Sequence, residues 1–522
     1  MTAAPDVAPD TTPDTARRIE GWLAEYAAPD ACAAALLCDR HDPDAVAFTL
    51  VDADLGVRAL TYGELRDLSS RLAAGLAERG VGRGDAVGVL MGKRLEYVVT
   101  VVALWRLGAV LVPLFTAFAS GAIQVRVSGS GARLVVTEPS QRAKLDAVEG
   151  VEVLVTGPEY DALLTREPLA EPAVVGGDGL LAMLFTSGTT GKPKGVPIPV
   201  RALAAFSSYL VHGLDVRPDD VFWNAADPGW AYGLYYGVLG PLAQGRTNVL
   251  VDAGFSPDLT RRVIERLGVT SFAGAPTMYR AMSKDPSFTG FTLRRASSAG
   301  EPLTPDVVAW GERALGVEVR DHYGQTEHGM CIVNCWADGV REPVRPGSMG
   351  PALPGFAAGM VEGQIALDVE GSPLMFFRGY HDAPEKSAER FTRDGRWYLT
   401  GDTGRVDEDG HFYFSARDDD VILAAGYRIG PFDVESVLVT HPAVVDVAVV
   451  GKPDEVRGEV VAAYVVLASG TEPTDDLAHD LQQLVRNEYS AHAYPRIVHF
   501  VAELPKTPSG KVQRYLLRRR ED

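Results

Sequence analysis

The sequence predicts an α/β protein in two parts. The first is a large N-terminal domain of doubly wound α/β subdomains plus a β-rich subdomain; the second is a small mobile α+β C-terminal domain. Three observations carry this reading. Helix-period and strand-period stretches alternate through the first part with short glycine-rich links. After about residue 360 the texture changes to short strands and turns. From about residue 419 a compact run carries strands and helices of its own.

Taken in order, residues 1–18, opening "MTAAPDVAPDTTPDTA", read as a disordered leader, with acids where a signal peptide needs bases. The large domain spans 19–418. Its apolar stretch "ACAAALLC" is too short to cross a bilayer. "YGELRDLSSRLAAGLAERG" places apolar residues at i, i+3 and i+4 and ends on Gly80, a natural C-cap. A buried strand "DAVGVLM", a helix "EYVVTVVALWRLGAV" and a strand "ARLVVT" follow, and similar units recur at 247–251 with 258–267 and at 318–320 before the "YGQTE" loop. No fixed-period repeat is present, which excludes a solenoid. Beyond residue 360, "EGQIALDVEGSPLM", "GRWYLTGD" and "TGRVDEDGHFYFSAR" read as strands, with "DEDG" as a hairpin turn. The small domain, 419–522, holds "DDVILAAGYRI", a helix "PFDVESVLVTHP", strands "VVDVAVVGKP" and "VVAAYVVLA", a helix near 474–488 and a last strand "RIVHFVAEL". Its boundary at Asp419 lies in a charged run, a natural hinge.

A chain of 522 residues needs two or more cores, and 46% hydrophobic with 23% charged residues suits a globular protein. A net charge of −19 disfavours non-specific binding to nucleic acid or to an anionic membrane. An anionic ligand must then be met by a local basic cluster. Cys32, Cys38, Cys331 and Cys335 are too few for a disulfide framework. The C-x-x-x-C spacing of Cys331 and Cys335 lacks a second ligand pair and reads as packed thiols. A cytoplasmic protein without nucleic-acid partners or membrane insertion is expected, as a monomer or homodimer.

The stretch "TSGTTGKPKGV" at 186–196 carries the first chemistry. Gly188, Gly191 and Gly195 let amide N–H groups converge on phosphate oxygens. Thr186, Ser187, Thr189 and Thr190 add hydroxyl donors, and Lys192 and Lys194 add charge. Proline after Lys192 rules out a Walker loop, which launches its helix at that lysine. The loop leaves the apolar strand "LLAMLF", at the sheet edge where α/β proteins place ligands. A flexible Ser/Thr/Gly surface loop is the bland alternative.

"LFTSGTTGKPKGV" resembles the signature of the adenylate-forming superfamily, which includes acyl-CoA synthetases, peptide-synthetase adenylation domains and luciferases. Five further stretches occur in the family's order: "SAGEPL" (298–303), "YGQTEHG" (323–329), "YLTGDTGRVDEDG" (398–410), "ARDDDVILAAGYRIGPFDVE" (416–435) and "PKTPSGKVQR" (505–514). The resemblance covers roughly 55–520 and implies a two-step reaction. A carboxylate attacks the α-phosphate of ATP to give acyl-AMP and pyrophosphate, and a thiol then displaces AMP. It also implies roles. The loop at 186–196 would hold the β- and γ-phosphates, Glu327 would ligate Mg2+ and Thr326 would bond the α-phosphate. Tyr323 would lie against the adenine with Gly300, Glu301 and Pro302 opposite, beside Gln325. Asp402, reinforced by Arg417, would accept the ribose hydroxyls. Lys511 would bridge α-phosphate and carboxylate as a point charge, with Arg428 meeting the triphosphate. Asp419 falls at the family's hinge, about which the small domain rotates between half-reactions. Gly426 and Tyr427 of "AAGYRIG" would then line the pantetheine tunnel, and Arg486 would meet the CoA 3′-phosphate. An exposed helix arginine is the ordinary alternative for Arg486.

"ADPGWAYG" (226–233) and "GYRIGPFDVESVLVTHPAV" look most like acetyl-CoA and medium-chain acyl-CoA synthetases. Trp230, Tyr232 and Tyr235 are candidate acyl-pocket walls, with core packing as the default. Gly324 stands where acetyl-CoA synthetases carry a pocket-closing tryptophan, which implies a larger, hydrophobic acid. Pro197 and Pro199 depart from the family's histidine-containing stretch and leave that edge of the pocket open to question, and His328 replaces a small residue. An ATP-dependent acyl-CoA ligase is the expectation. A stand-alone enzyme loading a carrier-protein phosphopantetheine is the alternative, and a non-catalytic nucleotide-binding regulator is disfavoured by intact Lys511, Glu327 and Asp402.

Overall fold

Six strands make the first sheet, in the order Glu152–Val155, Leu134–Thr137, Ala86–Leu90, Val110–Pro113, Leu180–Thr186, Lys194–Pro199. All neighbours are parallel except the last pair, an antiparallel hairpin. Central parallel strands are covered on both faces, so they read as unbroken apolar runs such as "LVVT". The prolines at 197 and 199 sit on the outermost strand, where a missing N–H donor costs no ladder bond on the open side.

The second sheet has eight strands in the order Gly329–Val333, Val319–Gln325, Arg295–Ala299, Ser271–Gly274, Phe222–Asn224, Asn248–Val251, Val46–Val51, Val57–Thr61. Only the outermost pair on each side is antiparallel. The helix Leu95–Leu107 is buried from Tyr97 to its end and ends at Gly108 in the left-handed region, φ 67°. Tyr62–Glu78 is capped by Thr61, whose hydroxyl accepts from Glu64 N. A four-stranded antiparallel sheet, Ala358–Val361, Gln364–Asp368, Trp397–Val406 and Phe412–Arg417, is the predicted β-rich part, with its last hairpin turning at "DEDG".

The C-terminal part is the predicted α+β unit. Tyr427–Ile429, Ile422–Ala424, Gly458–Leu467 and Val444–Asp454 form its sheet, with Ile497–Phe500 alongside Gly458–Leu467. Pro431–Leu438 and Asp475–Glu488 pack on it over a core that includes Val434, Leu438, Leu481 and Val485. The unit touches the large domain through Phe432, whose ring meets Phe414 at 6.2 Å. Gly430 adds a second contact, close enough to Ser415 that a Cβ there would lie 2.6 Å from the Ser415 carbonyl oxygen.

The computed structural model describes residues 12–186, 193–417, 420–424, 427–454, 458–490, 492–507 and 511–520. Ser187, Gly188, Thr189, Thr190, Gly191, Lys192, the hinge Asp419 and Gly426 lie outside them, as does the side chain of Arg428. Two expectations are corrected. The leader does not extend to residue 18, because a helix runs Pro13–Tyr26. Thr12 accepts from Thr15 N and proline opens the helix, while Ile19 and Tyr26 bury one face. Second, "YGQTE" is not a loop: the strand Val319–Gln325 continues through Gln325, and only residues 326–328 turn. All four cysteines are free, three of them buried. No helix among the described residues is long and apolar enough to cross a membrane.

Candidate active site

The hairpin tip at Thr326, Glu327 and His328 is fixed from beneath by aromatic hydroxyls. Tyr235, fully buried and stacked on Phe206 at 4.2 Å, donates to Thr326 O at 2.8 Å. Tyr236 accepts from Met330 N at 2.7 Å. Tyr235 is therefore a brace for the turn and not a pocket wall. Tyr232 is also committed, its hydroxyl 2.9 Å from that of Tyr209. Tyr209 in turn donates to His322 Nδ1 at 2.6 Å, and His322 Nε2–H donates to Asn334 O at 3.1 Å. Burial lowers the His322 pKa to about 3, so the ring is the neutral tautomer that this chain of bonds requires. Of the three expected wall residues, Trp230 alone stays free of such a bond, packing against Phe115 at 5.3 Å and Phe118 at 6.2 Å.

Gly324 does not open a pocket. A Cβ there would lie 2.2 Å from the Gly329 carbonyl oxygen and 2.7 Å from Met330 Cα, so the position faces the neighbouring strand. A bulge between Tyr323 and Gly324 turns it that way. The volume argument for a large acid from this glycine fails.

Asp402 is the next node, 3% exposed on the strand Trp397–Val406. Its Oδ2 accepts from Tyr323 OH at 2.5 Å and from Gln325 Nε2 at 2.6 Å. Its Oδ1 faces Arg417 Nη1, 3.6 Å away across the ladder. Tyr398 OH donates to Gln325 Oε1 at 3.1 Å and fixes the amide's orientation. Burial, and then the charge of Asp402, push the Tyr323 phenol well above its ordinary pKa, so it remains a donor. One carboxylate oxygen is thus held by the protein while the other faces a cation.

Glu327, 5% exposed, accepts at Oε1 from Tyr380 OH at 2.8 Å. Arg390 Nε donates to that phenol oxygen at 3.0 Å. Lys194, at the start of the hairpin's second strand, places Nζ 4.8 Å from the centre of the Tyr380 ring. Burial, with Arg390 and Lys386, lowers the Lys194 pKa, and Glu327 and Glu389 oppose this. The sequence reading missed Tyr380 and Arg390: they flank the short helix Pro384–Ala388, whose "PEKSA" reads as solvated surface.

Lys511 is the site residue expected from the C-terminal domain. Its backbone is clamped to Thr507 by two hydrogen bonds, N to Thr507 Oγ1 at 3.1 Å and O from Thr507 N at 2.7 Å. The residue keeps an exposed side. The protein around the cleft, and then Arg417, lower its pKa, whereas Glu301, Asp402 and Glu327 raise it. Lys511 therefore lies within electrostatic reach of these three carboxylates of the large domain. Glu301 follows Gly300 at φ 106° and is held by Arg280 at 3.1 Å. Tyr427 and Arg486 lie elsewhere on the small domain. Tyr427, 47% exposed, stacks on His492 at 4.2 Å, and Arg486 and Arg496 sit 5.9 and 4.8 Å from the Tyr494 ring.

No group of three or more His, Cys, Asp or Glu residues that could hold a metal occurs among the described residues. Of the carboxylates here, Glu327 has Oε1 occupied by Tyr380 and, among the described residues, no hydrogen-bond partner at Oε2, so it can offer a cation one oxygen. That donor set fits Mg2+, which keeps water and phosphate ligands and takes one or two carboxylates from a protein.

Residues 38–370 match the AMP-binding enzyme family, and residues 433–511 match the AMP-binding enzyme C-terminal domain. The acetyl-coenzyme A synthetase of Bacillus subtilis (strain 168) is 36% identical over 492 residues, covering 88% of this chain and 84% of its own length. A mitochondrial acyl-coenzyme A synthetase of Mus musculus is 35% identical over 513 residues, covering 91% and 86%. The crystal structure of a Brucella canis acyl-CoA synthetase superposes with a TM-score of 0.75 at 44% identity, covering 98% of each chain. The chain belongs to the AMP-binding enzyme family, in its acyl-CoA ligase branch, and is an AMP-forming acid–thiol ligase.

Proposed function

We propose that this ligase activates a medium-sized or bulky hydrophobic carboxylic acid as acyl-AMP, releasing pyrophosphate, and then transfers the acyl group to CoA, releasing AMP. The observation that supports the first step is the pair of buried carboxylates Asp402 and Glu327, each with one oxygen held by the protein, Asp402 by Tyr323 and Gln325 and Glu327 by Tyr380. Adenylation brings a carboxylate against a triphosphate, and a cation held between them offsets that repulsion where the charge develops. The Lys511 ammonium would span the α-phosphate and the acid's carboxylate. Asp402 would use Oδ1 for ribose hydroxyls, since Tyr323 and Gln325 occupy Oδ2. Thr326 would contact the α-phosphate from a turn that Tyr235 holds still. Bound Mg2+ would neutralise phosphate charge, with Glu327 as its protein ligand. The loop at 187–192 would close over the β- and γ-phosphates.

With Gly324 facing the neighbouring strand, the preference for a hydrophobic acid rests on Trp230 with Phe115 and Phe118, an aromatic group beside the "ADPGWAYG" turn. For the second step the small domain would rotate about Asp419, taking Lys511 away and bringing the "AAGYRIG" strand pair to the acyl-AMP. Tyr427 and Arg486, with Tyr494 and Arg496, offer aromatic faces and guanidinium groups to a nucleotide thiol.

The test is pyrophosphate release over a panel of short, medium and aromatic acids, followed by free CoA added to the preformed acyl-AMP complex. Turnover that favours hydrophobic acids over acetate, with prompt AMP release by CoA, is expected. Preference for acetate overturns the acid class. AMP retained until a phosphopantetheinylated carrier protein is supplied replaces CoA with that acceptor.

A further inference from the structure

The pair missed by the sequence reading, Tyr380 and Arg390, forms a relay that ends on Glu327. Arg390 is anchored by Nη1 to Thr400 O at 3.2 Å, and its Nε donates to the Tyr380 hydroxyl oxygen at 3.0 Å. That hydroxyl donates to Glu327 Oε1 at 2.8 Å. A phenol that accepts from a guanidinium donates more strongly in its turn. The relay also keeps charges apart. Lys194 and Arg390 lie near the Glu327 carboxylate without an ion pair to it: the Tyr380 hydroxyl bridges Arg390 and Glu327, and Lys194 sits 4.8 Å from the centre of the Tyr380 ring.

We propose that Tyr380, held by Arg390, is the positioning residue that fixes the Glu327 carboxylate, spending Oε1 on the phenol and presenting Oε2 to the divalent cation that accompanies ATP. This rests on the reading of Glu327 as that cation's protein ligand. Without the phenol hydroxyl, Oε1 loses its donor in a nearly closed site, and Arg390 or Lys194 can collapse onto the carboxylate as an ion pair. The cation then competes with an internal cation for its ligand. The loss falls on metal affinity, whereas the chemistry at saturating metal is preserved.

The experiment uses the full chain with Tyr380→Phe, read two ways. In one, initial rates are titrated with free Mg2+ at saturating ATP and acid. In the other, Mn2+ bound in the enzyme·ATP complex is counted by electron paramagnetic resonance, which needs no turnover. The half-saturating Mg2+ concentration and the Mn2+ dissociation constant should each rise about 10-fold, the scale for removing a partner of a metal ligand. Metal-free ATP affinity and kcat at saturating Mg2+ should stay near wild type. Arg390→Gln keeps the phenol but removes its donor, and should shift both readouts the same way by less; it carries the test if Tyr380→Phe does not fold. Unchanged metal affinity in whichever of the two variants folds overturns the proposal. Glu327→Gln separates the layers. If it leaves Mn2+ affinity unchanged, the reading of Glu327 itself fails. If it weakens Mn2+ while Tyr380→Phe does not, only the positioning role fails.

Discussion

Gly430 offers a way to damage one half-reaction and spare the other. It lies at the junction of the two domains, and a Cβ built there meets two oxygens at 2.6 Å, the Ser415 carbonyl and Asp433 Oδ2. The Asp433 carboxylate is on a flexible side chain of the same domain and can swing aside. The Ser415 carbonyl belongs to the backbone of the strand Phe412–Arg417 in the large domain and cannot. In Gly430→Ala the cheapest relief is for the small domain to lift from the pose in which Phe432 meets Phe414, the one proposed to place Lys511 for adenylation. Inserting a methyl into a closed contact costs about 1–3 kcal/mol. At 1.36 kcal/mol per factor of ten, that lowers the population of the pose about 5- to 150-fold. ATP–pyrophosphate exchange, which reports adenylation, should fall by that factor. Conversion of chemically prepared acyl-AMP and CoA to acyl-CoA should change by less than about 2-fold, because the proposed rotation of the small domain would release this contact. An equal loss in both half-reactions, or none in exchange, would refute the reasoning.

Other outcomes follow from the same geometry. Gly324→Ala should destabilise the protein by about 1–3 kcal/mol in urea unfolding and slow turnover alike for every acid, since it displaces the hairpin carrying Glu327; altered chain-length selectivity at unchanged stability would show that the position faces the acid after all. His322, held neutral with a pKa of about 3, contributes stability that is complete above its unfolded value of about 6.5 and is lost as pH falls below it. Between pH 7 and 5 this amounts to about 2 kcal/mol, so wild type should lose about that much more unfolding free energy than His322→Asn, and equal losses would exclude the mechanism.

Legibility in the sequence followed chemistry more closely than contacts. The motif residues Thr326, Glu327, Asp402 and Lys511 stand out because their types and order match a known reaction, and Glu327 and Asp402 are buried in the same domain, each with one oxygen held by a tyrosine. The alternation of strands and helices was readable because parallel strands covered on both faces leave apolar runs. Tyr380 and Arg390 were not readable, since their importance lies in a two-bond relay between segments that look like surface. Gly324 was misread for a related reason. The resemblance names the residue type that relatives carry at this position, but not the irregularity beside it that turns the position toward Gly329. The N-terminal helix was missed because Thr12 and Pro13, a cap and a helix-opening proline, sit in an Ala/Pro/Asp background that resembles a leader. Tyr232 and Tyr235 look like pocket aromatics by type, and only their hydroxyl partners show that they support the hairpin and its neighbour strand.

The central claim is that Lys511 serves adenylation alone. Lys511→Ala in the two separated half-reactions tests it most directly. Acid-dependent ATP–pyrophosphate exchange should fall about 100- to 1,000-fold, the scale for removing one group that stabilises developing charge. Acyl-CoA formation from supplied acyl-AMP and CoA should persist at close to the wild-type rate. Exchange that survives the substitution, or a parallel collapse of thioester formation in a folded variant, would contradict the account.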